Sequence, residues 1–212
     1  ILGGYFNLVS NLAYQAVVVG GYSNRAAAQN SFAAGTRAHA NHAGSFVWGD
    51  FSPTNVNSTA INQTTFRSTG GFRIFTSVAQ TSGVTLAANS GSWSTISDVN
   101  AKEGFASVDT REVLERVAAL PITTWRYKGQ DAEIRHIGPT AQDFYRAFGV
   151  GDAPGYGITA VDADGVALAA IQALASEVRD QRSDVGGRMA ELEEENRVLR
   201  EELEAIKRKL GM

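Results

Sequence analysis

Few residues in this 212-residue chain carry groups suited to chemistry, and with no cysteine, disulfide scaffolds and thiolate metal or redox sites are excluded. His39 and His42 lie three residues apart. No carboxylate cluster accompanies them, and both read as surface-loop histidines rather than metal ligands. Ser97 and Lys102 lie five apart, and a serine beside an amine is the minimum for nucleophilic attack with an internal base. Such an amine accepts the hydroxyl proton only when burial or neighbouring positive charge holds its pKa well below the ordinary value. Spacing alone does not separate this pair from a turn-capping serine and a surface lysine, because both residue types are common. Neither a metal nor a cofactor is expected.

The elements that must position these residues are set by an uneven composition. Residues 1–96 carry 4 basic and 1 acidic side chain, whereas residues 97–212 carry 15 and 21. Asn, Ser and Thr number 31 in the first stretch and 11 in the second, so Ser97 is read as a domain boundary. No run approaches the length of a membrane span, and membrane insertion is not expected. A chain starting at Ile1 without Met reads as a fragment or a processed product.

The first stretch repeats. Val18-Val19-Gly20-Gly21, Phe32-Ala33-Ala34-Gly35 and Phe46-Val47-Trp48-Gly49 superimpose at 14 residues, with Ala26 and Ala40 recurring at the same interval. Gly3-Gly4-Tyr5-Phe6-Asn7 matches Gly20-Gly21-Tyr22-Ser23-Asn24 at 17. This predicts two short strands per repeat, small residues where layers stack, and glycine where φ is positive. Trp48 falls in the apolar register and is read as core rather than as a glycan-stacking platform. Over about Ala16–Asp50 the pattern resembles the left-handed parallel β-roll heads of YadA-like trimeric adhesins and phage tail fibres; the competing reading is a Gly-rich β-sandwich. From Asn55 to Ser94 the sequence is polar and β-prone, with Phe66–Phe75 reading as two strands around Gly70-Gly71.

At the other end Met189, Leu192, Asn196, Leu199, Leu203, Ile206 and Leu210 alternate three- and four-residue steps, the a and d positions of a coiled coil. The g-to-e pairs Arg188–Glu193, Glu195–Arg200 and Glu202–Lys207 are opposite in sign, as a parallel homo-oligomer requires. Gly186-Gly187 reads as a break after a helix around Val166–Arg179. Between these ends, Asp109 caps a helix with Glu112 as capping-box partner. Val113, Leu114, Val117 and Leu120 form its apolar face, and Pro121 stops it. Ile122–Tyr127 reads as a strand, Gly129–Asp131 as a turn and Thr140–Phe148 as a second helix. Asp162-Ala163-Asp164-Gly165 reads as a turn that starts the long helix.

Four blocks in this middle region, Ser97–Glu103, Val117–Tyr127, Arg135–Phe144 and Asp162–Leu168, resemble in order the endosialidase-type intramolecular chaperone. That resemblance spans about Ser97–Ala175. It implies a carboxy-terminal domain that trimerises, drives folding of the β-rich trimer before it, and releases itself by autoproteolysis. It maps the nucleophile onto Ser97 and its base onto Lys102. His136 and Gln142 stand in a matched block and either support the dyad or, for His136, serve as a satisfied core residue. Which bond flanking Ser97 breaks is left open, an N-to-O acyl shift favouring Ile96–Ser97.

The expected architecture is α+β with a β-solenoid: a trimeric left-handed parallel β-roll (1–54), a β-rich neck (55–96), a small mixed α/β chaperone domain (97–185) and a parallel coiled coil (186–212). The expected function is trimerisation and folding of a fibre or tail spike, with single-turnover self-cleavage. The alternative is a non-cleaving cap or adhesive tip. The expected partner is the chain itself as a parallel homotrimer, with a host-cell surface glycan or receptor as a further one, and no nucleic acid. The expected place is a virion tail fibre or spike, or an extracellular appendage made in a bacterial cytoplasm.

Overall fold

The 14-residue period takes physical form as stacked coils. The computed structural model describes residues 1–153 and 155–210, the side chain of Leu210 excepted, so the last expected a position lies outside the described residues. The chain forms two units, Ile1–Glu103 and a second beginning at Gly104.

In the first unit each coil gives one short strand to each of two parallel sheets. One sheet holds β1 (Leu8–Val9), β3 (Arg25–Ala26), β5 (Ala38–Ala40) and β7 (Val56–Asn57). The other holds β2 (Val17–Tyr22), β4 (Phe32–Thr36), β6 (Phe46–Gly49) and β8 (Thr64–Arg67). The result is a β-solenoid that takes in residues up to Arg67. Gly21 lies opposite Gly35, Gly35 opposite Gly49 and Ala26 opposite Ala40, as the period requires. The alignment slips at one place. Val18 sits against Ala33 rather than Phe32, because a bulge between Val18 and Gly21 absorbs one residue.

Strand alternation sends Val18, Ala26, Ala33, Ala38, Ala40 and Val47 into a fully buried core of small side chains. Their neighbours point outward, and this corrects the reading of Trp48. Val47 fills the core, while Trp48 lies half-buried on the outer face, 6.5 Å from Phe66. On that face Phe32 stacks on Phe46 at 4.5 Å, and Phe46 meets Phe66 at 5.5 Å. His39 is likewise not in a loop but on β5, facing outward between Ala38 and Ala40, whereas His42 sits at the following corner against the Ser58 hydroxyl at 2.9 Å.

The glycine column reflects close approach of coils. A Cβ on Gly21 would overlap the Gly35 carbonyl, and one on Gly35 the Gly49 carbonyl; both glycines have positive φ. Many left-handed corners are instead occupied by Phe6, Ser23, Arg37, Gln15, Asn30 and Asn62. At one corner the Asn24 amide donates to Gly20 O at 2.8 Å and Gly35 O at 2.7 Å, while its oxygen accepts from the Ala38 N–H at 2.9 Å. Asn24 thereby joins consecutive coils with its own polar groups satisfied.

The column ends in Arg67, which reaches Asp50 at 2.7 Å and the Thr54 carbonyl at 2.6 Å. Thr69 donates to the second Asp50 oxygen from both its hydroxyl and its N–H, each at 2.6 Å. These donors, Thr69 foremost and then Arg67, hold the Asp50 carboxyl well below the usual carboxylate range. The two strands around Gly70-Gly71 both exist, yet they do not pair with each other. β8 closes the solenoid, and β9 (Phe72–Phe75) opens an antiparallel meander with β10 (Gly83–Leu86) and β11 (Trp93–Thr95).

The second unit begins with α1 (Thr110–Ala119), whose amino end is capped by Asp109 accepting from the N–H groups of Arg111 and Glu112. The reciprocal half of the capping box is absent, since Glu112 pairs with Arg116 one turn on. Val113, Leu114, Val117 and Leu120 are half-buried, as their spacing predicts. A two-stranded antiparallel ribbon follows, β12 (Thr123–Trp125) with β13 (His136–Gly138), then α2 (Ala141–Phe148), which is capped by Thr140 and ended by left-handed Gly149. Arg116 donates to the Ala147 carbonyl near the end of α2.

The long helix α3 (Ala160–Leu210) corrects two expectations. Thr159 supplies its cap, accepting from the Asp162 N–H at 3.1 Å, so Asp162–Gly165 lies inside the first turns. Gly186-Gly187 does not break it. Helix propensity at two glycines costs about 1 kcal/mol each, too little to stop a helix with more than twenty residues on both sides. Ala170 and Ala173 are buried on the side that packs toward α1. Because the helix is continuous, the a and d positions extend back in register through Val185, Arg182, Val178, Ala175, Ile171, Leu168, Asp164 and Val161, and all are exposed. Leu168 is 64% and Leu199 61% accessible.

Candidate functional site

Ile96 ends the meander with its N–H donating to Gly83 O at 3.1 Å, which anchors the residue before Ser97. Asp98 then accepts from the Asn100 N–H at 2.7 Å and caps a single 3-10 turn, Val99–Ala101. The turn reverses the chain over five residues and brings Lys102 back, so that Lys102 Nζ donates to Ser97 Oγ at 2.6 Å. Asp98 is the positioning residue that sequence reading passed over. Its signal was present in Asp98-Val99-Asn100, where an aspartate accepts from the N–H two residues on.

The contact supplies the geometry for proton transfer between hydroxyl and amine. Both residues are solvent-exposed in the single chain. A lysine acting as a base has to be neutral, and desolvation is what favours that form. The two groups are therefore in reach of each other, while the dry surroundings that the chemistry needs are not supplied from within the first unit.

His136 and Gln142 belong to the second unit. His136 Nε2 is 2.9 Å from Gln130 Oε1, and its ring lies 4.7 Å from Trp125 and 5.6 Å from Tyr127. In that half-buried setting one imidazole nitrogen finds its partner in the turn between β12 and β13. Gln142 lies exposed in the first turn of α2, on a shallow groove with Trp125, Tyr127 and Tyr156. The structure thus brings Ser97 and Lys102 together and seats the other two residues in the helical unit.

That unit also has a cleft between α1, the end of α2 and the start of α3. Val113, Phe148, Val150 and Val166 form its apolar wall, and Asp109, Glu112, Arg116 and Asp162 its charged rim. Sequence periodicity showed the apolar face of α1, but not that part of it would be left open. Among the described residues no group of three or more His, Asp or Glu side chains is placed to hold a metal ion, and no helix is long and apolar enough to cross a membrane.

Comparison with known proteins bears on one segment. No curated protein matches the chain. Residues 97–150, about a quarter of the chain, match the family model Peptidase S74, described as chaperone of endosialidase. The match opens on Ser97, runs through the capped turn that carries Lys102, and continues through both strands of the ribbon to just beyond α2. The family name is peptidase-related, and its description supports an intramolecular chaperone role. From Ser97 to Val150, then, the chain matches the family described as chaperone of endosialidase.

Proposed function

We propose that the domain and its long helix assemble three parallel copies of the chain, fold the β-solenoid in register, and cut the chain once at Ser97. The resulting protein would be part of a phage tail fibre or spike, or of a related surface appendage. The observation that carries the chemistry is the 2.6 Å contact between Lys102 and Ser97, at the first residue of the family match. Assembly is supported by α3, whose exposed a and d positions, apolar except for Asp164, Arg182 and Asn196, run for about 70 Å at about 1.5 Å per residue. Among the described residues Arg188, Glu193, Glu195, Arg200 and Glu202 make no ion pair within the chain. They remain available for the g-to-e pairing of a parallel coil.

Assembly and chemistry are linked by water. Packing of neighbouring copies around the exposed dyad would desolvate Lys102 and let its neutral amine take the Ser97 proton. Ser97 Oγ would then attack the Ile96 carbonyl carbon, and the proton would pass to the departing Ser97 nitrogen as the amide becomes an ester. Water would hydrolyse the ester to leave an Ile96 carboxylate and restore the Ser97 hydroxyl. Cleavage would report correct assembly.

A denaturing gel of freshly expressed protein tests this. Two fragments of 96 and 116 residues are expected, with Ser97 as the new amino terminus by mass spectrometry. Ser97→Ala, Lys102→Ala and Lys102→Arg should each give the intact chain in a folded oligomer, since guanidinium keeps its proton. A parent chain that stays intact while trimeric would make the protein a non-cleaving cap, and efficient cutting by Lys102→Ala would remove Lys102 from the mechanism.

A further inference from the structure

The peptide in front of Ser97 is tied to the meander. β10 is the middle strand, and its first residue, Gly83, lies opposite Phe75 of β9. One residue earlier the β9–β10 turn closes, with the Thr76 N–H donating to the Ser82 carbonyl at 3.0 Å and the two side-chain hydroxyls 2.8 Å apart. Toward β9 Gly83 has no room for a side chain: φ is +144°, and a Cβ would overlap the Ile74 carbonyl. Toward β11 the Gly83 carbonyl accepts from the Ile96 N–H at 3.1 Å, one residue past the end of that strand. Gly83 is thereby clamped between β9 and the residue that precedes Ser97.

That clamp bears on the group to be attacked. The peptide joining Ile96 to Ser97 moves as a planar unit, and rotation about the Ser97 N–Cα bond turns its carbonyl carbon toward or away from Oγ. The pinned Ile96 N–H fixes the chain on one side of this bond, and the Asp98-capped turn fixes it on the other. Among the described residues no hydrogen bond within the chain reaches the Ile96 carbonyl oxygen, so only these flanks orient it. The Lys102 contact concerns the hydroxyl alone. Attack needs both reacting atoms in place, and small misplacements are costly.

We propose that Gly83 is a positioning residue for self-cleavage: through the Ile96 N–H it holds the Ile96–Ser97 peptide for attack by Ser97 Oγ, so that the cut waits on a folded meander. This rests on the reading that Ser97 cuts the chain. In that step the carbon–Oγ bond forms as the carbon–nitrogen bond breaks, and the hydroxyl proton ends on the Ser97 nitrogen. A chain with its solenoid formed and its meander unformed leaves Ile96 unpinned and stays whole. Meander folding is thus a condition separate from the burial of Lys102.

Cell-free translation of the full chain, followed in time on a denaturing gel, reads the rate of cutting. Replacing Ile96 by its α-hydroxy acid analogue exchanges the N–H for an ester oxygen and leaves the side chain, the Ile96–Ser97 bond, Ser97 and Lys102 unchanged. Cutting should slow at least about tenfold, with the same half-maximal pH and the same oligomer by light scattering. Ile96→Val keeps the N–H and should cut at the parent rate. Gly83→Ala should slow as the ester does; should it fail to fold, the ester variant decides alone. A parent-like rate in the ester variant or in folded Gly83→Ala would overturn the proposal and leave self-cleavage standing, as would an equal loss in Ile96→Val. A lost oligomer or a moved half-maximal pH in the ester variant would also overturn it, since the N–H would then act through assembly or through Lys102. A trimeric parent that never cuts would remove self-cleavage, and this positioning role with it.

Discussion

The solenoid and the long helix solve the problem of burying apolar surface in opposite ways. In the solenoid each coil lies against the next coil of the same chain, so Val18, Ala33 and Val47 reach full burial and the corner amides find partners without help. In α3 only the amino-terminal part has a neighbour, through Ala170 and Ala173, and the seam from Val161 to Ile206 stays open. The difference teaches where each unit's specificity comes from. A coil repeated at 14 residues has several near-equivalent registers and needs something outside itself to choose one. A heptad seam fixes the alignment of chains but contributes its stability only once they meet. The assembly proposed for α3, placed after a degenerate repeat, would fit that division of labour.

The largest expected effect comes from breaking the open side. Leu192→Asp with Leu199→Asp should abolish oligomers in light scattering and cost more than about 3 kcal/mol per chain, because two seam leucines are lost and two charges are forced toward the axis. An unchanged oligomer would show that the seam is not the interface. Next comes the closed side. Gly35→Ala should destabilise the solenoid by at least about 3 kcal/mol in denaturant titration, since the added Cβ meets the Gly49 carbonyl and φ is positive. Near-native stability would mean that the coils can separate without penalty.

Smaller changes sharpen the comparison. Gly186→Ala and Gly187→Ala should each stabilise by about 1 kcal/mol if the helix runs unbroken, whereas a hinge would make them neutral or harmful. The smallest effect is a slope. The folded Asp50 pKa lies below its unfolded value near 3.8, so its contribution is complete above that pH and is lost as pH falls below it. Asp50→Asn should flatten that acid limb in melts taken between about pH 4 and pH 2. An identical acid slope would show that the Thr69 and Arg67 contacts do not persist in solution.

Sequence by itself determined what depends on short-range rules. The glycine register, the Asp109 cap and the apolar face of α1 follow from local chemistry and counting, and they appear where spacing places them. Tertiary structure decided what turns on a single residue's offset or on competition between elements. A bulge at Val18–Gly21 shifts part of one strand by one residue. Trp48 is on the outer face because strand alternation has a period of two, so adjacency to Val47 settles its side. Gly186-Gly187 stays helical because long helix on both sides outweighs two poor propensities. The Ser97–Lys102 contact needed the Asp98-capped turn, since a five-residue spacing in an extended chain would hold the two groups far apart.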